Sequence, residues 1–280
     1  MNIIDGKKVS QDLRKEIECQ VEKLAKEGIV PGLAVLIVGD NPASKAYVKM
    51  KGKACGKLGI YSETIELSGD ISEEDLIGYV DKLNIDDKID GILVQLPLPK
   101  HIDESRILQR ILPEKDVDGF HPVNIGKLAI GENCFIPCTP YGIIKLLEYY
   151  NIETNGKHCV IIGRSNIVGK PIANLMLEKN STVTICHSRT KDLPAMTRSA
   201  DILIAAVGKA KFVTADMVKE GAIVIDVGIN RTHEGLVGDV DFDQVQGKVS
   251  HMTPVPGGVG PMTITMLMYN TLKSAERKRK

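Results

Sequence analysis

Between Ser10 and Gly28 the apolar residues Leu13, Ile17, Val21 and Leu24 fall three or four apart, and a glycine closes the run. That spacing predicts an amphipathic helix with a glycine stop. The period then changes. Leu33 to Val38 is continuously apolar and is halted by Gly39-Asp40-Asn41-Pro42, the pattern of a strand buried on both faces. Ala43 to Leu58 reads as helix, Tyr61 to Leu67 as an alternating strand, Glu73 to Leu83 as helix and Ile89 to Val94 as a buried strand. Two prolines in Gln95-Leu96-Pro97-Leu98-Pro99 then forbid regular structure. Pro113 to Pro122 is a polar connector, and Thr139 to Tyr149 reads as helix. A second series starts at His158, with strands over Cys159–Ile162, Thr182–Cys186, Ile202–Val207 and Ile223–Val227, and helices near Gly169–Glu178 and Ala215–Val218. A short return at Val249-Ser250-His251 precedes a glycine- and proline-dense loop from Pro254 to Pro261, and Thr263 to Glu276 is a last helix. Alternating strands and helices at this spacing predict parallel sheets with crossover helices: an α/β protein of two lobes, divided between Gly119 and Thr139.

The strand–turn–helix at His158–Pro171 adds a candidate ligand site. Its apolar run breaks at Gly163 and restarts as helix near Ile167, so free N–H groups and a positive helix end face whatever lies above the sheet. The spacing Gly163-x-Ser165-x-x-x-Gly169 departs from the Gly-x-Gly-x-x-Gly fingerprint, and any βα turn could produce it. Composition narrows the partners. Lys+Arg and Asp+Glu both number 36, so no bulk field attracts nucleic acid or an anionic membrane. The locally basic Glu-Arg-Lys-Arg-Lys terminus reads as a solvated helix end. No apolar stretch approaches the ~20 residues of a membrane helix, and the N-terminus lacks the apolar core of a signal peptide. Six scattered cysteines form no paired Cys-x-x-Cys array, which points to free thiols, no metal site and a cytoplasmic, reducing location.

Four further clusters lie at strand ends or helix starts, where open α/β sheets bind ligands. Tyr47 and Lys51 are i and i+4 on one helix face. A solvated lysine beside a half-buried tyrosine gives the same pattern. Short-chain dehydrogenases also carry Tyr-x-x-x-Lys, but after their nucleotide loop, whereas here the pair precedes it by more than a hundred residues. Gln95 ends a buried strand with an amide that can donate and accept. Asp118, in Asp116-Val117-Asp118-Gly119, is either a ligand or a turn residue. Pro254-Val255-Pro256-Gly257-Gly258-Val259-Gly260-Pro261 fixes a backbone path that a ligand could approach closely.

Taken together, Tyr47-x-x-x-Lys51, Gln95-Leu96-Pro97-Leu98-Pro99, Asp116-Val117-Asp118-Gly119, Gly163-Arg164-Ser165-x-Ile167-Val168-Gly169 and Pro254 to Thr263 resemble the bifunctional methylenetetrahydrofolate dehydrogenase/methenyltetrahydrofolate cyclohydrolase family. The order and spacing match from about Ile4 to Ala275. The resemblance implies NADP-dependent oxidation of 5,10-methylenetetrahydrofolate, then hydrolysis of the methenyl product to 10-formyltetrahydrofolate. It implies a folate-binding catalytic domain over residues 1–138, completed by a C-terminal helix at about 263–280. A Rossmann-like NADP domain would occupy 139–262, with a cleft between the lobes and a homodimer as the assembly. Lys51 would be the acid/base group, tuned by Gln95. Tyr47 would pack on the folate rings, Asp118 would bind the pterin, and Pro256, Gly257 and Gly258 would close over the folate. Gly163, Arg164, Ser165, Ser188, Arg189 and Ile229 would hold the dinucleotide.

Two other classes stay open on the residues alone. A catalytically silent folate- or nucleotide-binding protein would not need Lys51, Gln95 and Asp118 together. An NAD-dependent hydroxy-acid dehydrogenase would need a His/Arg/Asp set near the nucleotide lobe.

Overall fold

The computed structural model describes residues 1–233 and 235–277. In chain order the elements are β1 (Asn2–Ile3), α1 (Gly6–Lys26), β2 (Gly32–Val38), α2 (Pro42–Leu58), β3 (Tyr61–Leu67), α3 (Glu73–Ile85), β4 (Gly91–Val94), α4 (Glu104–Arg110), α5 (Pro122–Ala129) and α6 (Cys138–Tyr149). There follow β5 (His158–Ile162), α7 (Gly169–Glu178), β6 (Thr182–Cys186), α8 (Leu193–Arg198), β7 (Ile202–Ala205), β8 (Ile223–Asp226), β9 (Asn230–Thr232), β10 (Gly235–Val237), α9 (Phe242–Val245), β11 (His251–Met252) and α10 (Val259–Arg277). The last residues of the basic terminus, 278–280, lie outside the described residues.

The chain divides into two compact units. One combines Asp12–Cys138 with the chain from Ile264 onward; the other combines Met1–Gln11 with Thr139–Thr263. The first eleven residues thus belong with the second unit, not with an N-terminal domain starting at residue 1. The reason is strand pairing: Asn2 and Ile3 pair in parallel with His251 and Met252. Two residues are too short a strand to show in the hydrophobic pattern.

In the first unit a parallel sheet has the order β3-β2-β4. The central strand β2, Gly-Leu-Ala-Val-Leu-Ile-Val, is buried throughout. Leu36 and Val94 pack with Leu76, Val80 and Ile107 into one core. Helix α2 starts where Asn41 accepts hydrogen bonds from Ala43 N and Ser44 N, with Pro42 in the first turn, and stops at left-handed Gly59.

The second unit holds a six-stranded sheet, β1-β11-β8-β7-β5-β6, parallel at every pairing. Val160, Ile162, Leu203 and Val224 are buried in its core. Three sequence expectations change here. The helix near Ala215–Val218 is a single 3-10 turn, Ala215–Met217. Strand β7 ends at Ala205 and not Val207, because Val207 N–H turns to the Asp239 carboxylate. Helix α10 starts at Val259, which shortens the glycine-rich loop; Pro261 is tolerated because the first turn needs no N–H donor there.

Candidate active site

Lys51, on α2, is 8% exposed. Its Nζ donates to Gln95 Oε1 at 3.0 Å. Gln95 is placed by the sheet: it follows β4, its N–H bonds to Leu36 O, and its Nε2 donates to Leu96 O at 2.8 Å. With Nε2 occupied, Oε1 is left to face the lysine. Burial lowers the Lys51 pKa below its ordinary 10.5, against the opposing pull of Asp118, Cys138 and Cys55. Half-buried Tyr47 stands one turn away on the same helix.

Asp118 comes from the segment after α4. Burial raises its pKa, while Lys51 and a hydrogen bond from the Cys138 thiol act the other way. Two residues earlier, the buried Asp116 carboxylate organises the turn. It accepts from Gly119 N (3.2 Å), Phe120 N (3.1 Å), His121 N (2.8 Å) and Asn124 Nδ2 (2.8 Å). Its pKa is pushed up to about 7, chiefly by burial. Gly119 has φ 78°, and a Cβ there would sit 2.6 Å from Pro137 N, so only glycine fits. Asn270 on α10 ties the flanks together, donating from Nδ2 to Val117 O (2.9 Å) and Ile136 O (3.0 Å). Sequence reasoning missed Asp116 as an anchor, and Cys138 and Asn270 altogether. Asp116 was within reach, as a second acid before a glycine turn; the other two depend on long-range packing and left no local signal.

In the second unit the site follows the carboxyl edge of the sheet. In register, Ile162 pairs with Cys186 and Ala205, and Ala205 with Asp226. The turns after β5 and β6 therefore leave the sheet side by side, which brings exposed Arg164, Ser165, Ser188 and Arg189 to adjacent strand ends, while the turn after β8 lies beyond that of β7. Gly163 has φ 126°, and a Cβ there would meet Ala206 O at 2.2 Å. The N–H groups expected to be free at the start of α7 are capped: Ser165 Oγ accepts from Val168 N (3.2 Å) and Gly169 N (3.3 Å). Its hydroxyl hydrogen remains to donate outward. Ile229 is 47% exposed, and its Cδ1 lies against Gly260, where a Cβ would be 3.6 Å away. Of the loop residues, Pro256 is exposed while Gly257 and Gly258 are buried. Lys7 N donates to Gly257 O at 3.1 Å, and a Cβ on Gly6 would collide with Gly258 O.

These residues can be compared with known proteins. Residues 4–118 match the catalytic domain of the tetrahydrofolate dehydrogenase/cyclohydrolase family, and residues 137–279 match its NAD(P)-binding domain. The chain belongs to this family. A relative in Bacillus anthracis, named bifunctional protein FolD, is 58% identical over 276 residues, spanning 98% of this chain and 96% of the relative. A solved structure of the FolD methylenetetrahydrofolate dehydrogenase/cyclohydrolase from Campylobacter jejuni superposes with TM-score 0.98 at 52% identity, covering 99% of both chains. The Trypanosoma brucei enzyme, solved with NADP cofactor and inhibitor, gives TM-score 0.95 at 39% identity, covering 99% of this chain and 98% of that one. The family holds two activities on one chain, and this chain carries both family domains. Among the described residues, no group of three or more His, Cys, Asp or Glu could hold a metal ion, and no helix is long and apolar enough to cross a membrane.

Proposed function

We infer that this chain oxidises 5,10-methylenetetrahydrofolate with NADP and then hydrolyses the methenyl product to 10-formyltetrahydrofolate, with Lys51 as the proton-exchanging group. The observation that carries this reading is the hydrogen bond of 3.0 Å from buried Lys51 to partly buried Gln95, with Asp118 close enough to act on the lysine's charge. A buried amine whose pKa is lowered gives up its proton more readily than a solvated lysine, and so is better suited to exchanging protons with a substrate. Asp118 is an acceptor suited to the amino and ring N–H donors of a pterin. Tyr47 would stack on the folate rings, with Pro256, Gly257 and Gly258 closing over them.

The donor set at the carboxyl edge fits a dinucleotide. Gly163 allows a close backbone approach, and two guanidinium groups with a hydroxyl suit a 2′-phosphate. Arg164, Ser188 and Arg189 would hold that phosphate, with Gly163, Ser165 and Ile229 along the rest of the cofactor. When bound, NADP supplies a hydride acceptor. In the oxidation the folate's own nitrogen lone pair drives the hydride off the methylene carbon, so Lys51 has only to orient the substrate. In the hydrolysis, water attacks the methenyl carbon and loses a proton; as the carbinolamine opens, its hydroxyl loses a second proton to give the formyl C=O and a ring nitrogen gains one, so that one proton leaves to solvent overall. Lys51 would take the first proton and return one, with Gln95 Oε1 holding its Nζ in place.

The six cysteines are free thiols, which supports a reducing, cytoplasmic setting. A homodimer is our reading of the assembly. The short strand β11, next to Val249–Ser250, is not a sheet edge: it is paired on one side with β8 and on the other with β1. Strand pairing of this sheet across a two-fold would therefore use β1 or β6. The deciding experiment mixes protein, NADP and methylenetetrahydrofolate, follows NADPH absorbance, and then follows decay of the methenyl chromophore. Absence of either signal refutes that half of the reading.

A further inference from the structure

Asp239, in Val237-Gly238-Asp239-Val240, belongs to none of the motifs above, yet it is fully buried and densely bonded. Its carboxylate gathers the turn after β7, accepting from Val207 N (2.6 Å) and Gly208 N (2.9 Å) on Oδ2 and from Lys209 N (2.9 Å) on Oδ1. Oδ1 also accepts from Asn230 Nδ2 at 2.9 Å. A second buried acid, Asp226, braces it: Asp226 Oδ1 accepts from Asp239 N and from Gly228 N, both at 2.9 Å, and Oδ2 from Val240 N at 2.9 Å. The backbone passes close by. A Cβ on Gly228 would sit 2.2 Å from Asp239 Oδ1, and one on Gly238 would sit 1.8 Å from Asp226 Oδ2.

The residues so anchored are particular ones. Gly228 and Asn230 flank Ile229 on either side, and Val207–Lys209 is the turn next to it at the carboxyl edge of the sheet. Two buried acids that repel each other are a poor device for stability alone. They are a good device for fixing N–H groups of two neighbouring turns in one geometry, since a carboxylate offers acceptor sites in several directions.

We propose that Asp239, braced by Asp226, is a positioning residue for NADP: it locks the turns after β7 and β8 so that Ile229 meets the dinucleotide in a fixed geometry. This rests on the cofactor site read above. Asp239→Asn replaces one acceptor oxygen by an NH2 group, which then faces two N–H donors whichever way the amide is turned, so the turns must part. The expected result is a rise of about tenfold or more in both the KM and the calorimetric Kd for NADP, with kcat at saturating NADP changed much less. Hydrolysis of supplied methenyltetrahydrofolate uses no NADP, so it reports separately that the variant is folded. Asn230→Ala, which removes only one side-chain donor, should raise the NADP Kd severalfold and covers the case in which Asp239→Asn does not fold. Arg164→Ala runs alongside. If Arg164→Ala weakens NADP binding and neither of the other variants does, the positioning role is wrong and the cofactor site stands. If none of the three weakens it, both readings fall. A parallel loss of cyclohydrolase and NADP binding in Asn230→Ala would overturn the proposal by showing a general structural role.

Discussion

Replacing Lys51 by methionine should separate the two reactions. Methionine keeps the length and apolar stem of the lysine, which is almost wholly buried, so the packing of α2 against its sheet should survive. What is lost is the ammonium, its bond to Gln95 Oε1, and the positive charge facing Asp118. The freed Gln95 oxygen is partly exposed and can bind water, so that loss is worth only ~1 kcal/mol. Loss of the charge matters more for binding: without it the Asp118 pKa rises further, and a protonated Asp118 is a poorer acceptor for the pterin. The KM for folate should therefore rise in both reactions. The chemical step divides them. Positioned acid–base catalysis is worth ~10²–10⁴-fold, or ~3–5 kcal/mol of barrier, and only the hydrolysis calls on it. Cyclohydrolase kcat should fall by that factor, dehydrogenase kcat by much less, and the methenyl compound should accumulate when methylenetetrahydrofolate and NADP are supplied. Absorbance of the methenyl chromophore follows both steps in one cuvette. A variant that hydrolyses methenyltetrahydrofolate at near wild-type kcat would remove Lys51 from the proton-transfer role.

Arg164→Ala should raise the KM for NADP at least tenfold while leaving the KM for NAD and for folate nearly unchanged; steady-state kinetics with both cofactors checks this, and equal efficiency of the wild type with NAD and NADP would refute the 2′-phosphate assignment. Light scattering at micromolar concentration should give about twice the 30.5 kDa chain mass. Asp116 makes stability fall with pH in a defined window: its folded pKa of about 7 lies above its usual 3.8, so the folded state holds a proton that the unfolded chain releases. Its contribution is complete below pH ~4 and is lost as pH rises to about 7, an upper bound of roughly 4 kcal/mol. Urea midpoints for Asp116→Asn should accordingly fall less steeply between pH 4.5 and 7.5 than those of the wild type. Gly119→Ala should destabilise by a few kcal/mol in urea and raise the KM for folate, since the added carbon meets Pro137 N at a left-handed turn.

The parts of this molecule that could be read in the sequence are those whose signal is local. β2 declares itself because a strand covered on both faces must be apolar at every position. α2 declares itself through Asn41, Pro42 and Gly59, each of which acts on the adjacent backbone. Tyr47 and Lys51 fall on one face by helical geometry alone. What escaped is non-local or short. β1 is two residues that form a strand only because β11 is there to pair with them. Asp239 looks like any surface aspartate after a glycine, because its donors lie some thirty residues earlier, in the turn after β7. That the Ser165 oxygen also accepts from Val168 N and Gly169 N depends on the path of the turn, which the spacing of residues 163–169 does not define. Asn270 and Cys138 are more than a hundred residues apart and meet only in the folded unit.

The charge state of the Lys51 cluster bears on how one site can serve both reactions. Oxidation turns a neutral methylene bridge into a methenyl cation, and hydrolysis removes that charge again. A permanently protonated lysine would repel the cation that it has to help hydrolyse. Burial lowers the Lys51 pKa and so favours the free amine, which exerts no such repulsion and is also the form that can accept a proton from attacking water. Asp118 and the Cys138 thiol work against complete neutralisation: a carboxylate nearby favours the ammonium, and the thiol, its own pKa raised by burial, stays protonated and donates to that carboxylate. Burial and the nearby carboxylate thus act on the amine in opposite directions, and the arrival of a methenyl cation would push it toward the base. One consequence is specific. Methenyl formation should release a proton from Lys51 in the same phase as NADPH formation, ahead of the proton that hydrolysis itself sets free, and a stopped-flow pH-indicator measurement of that first phase in a single turnover should detect it in the wild type and not in Lys51→Met. Equal proton release from the two proteins in the phase of NADPH formation would show that Lys51 keeps one charge state there, and the electrostatic argument would fail.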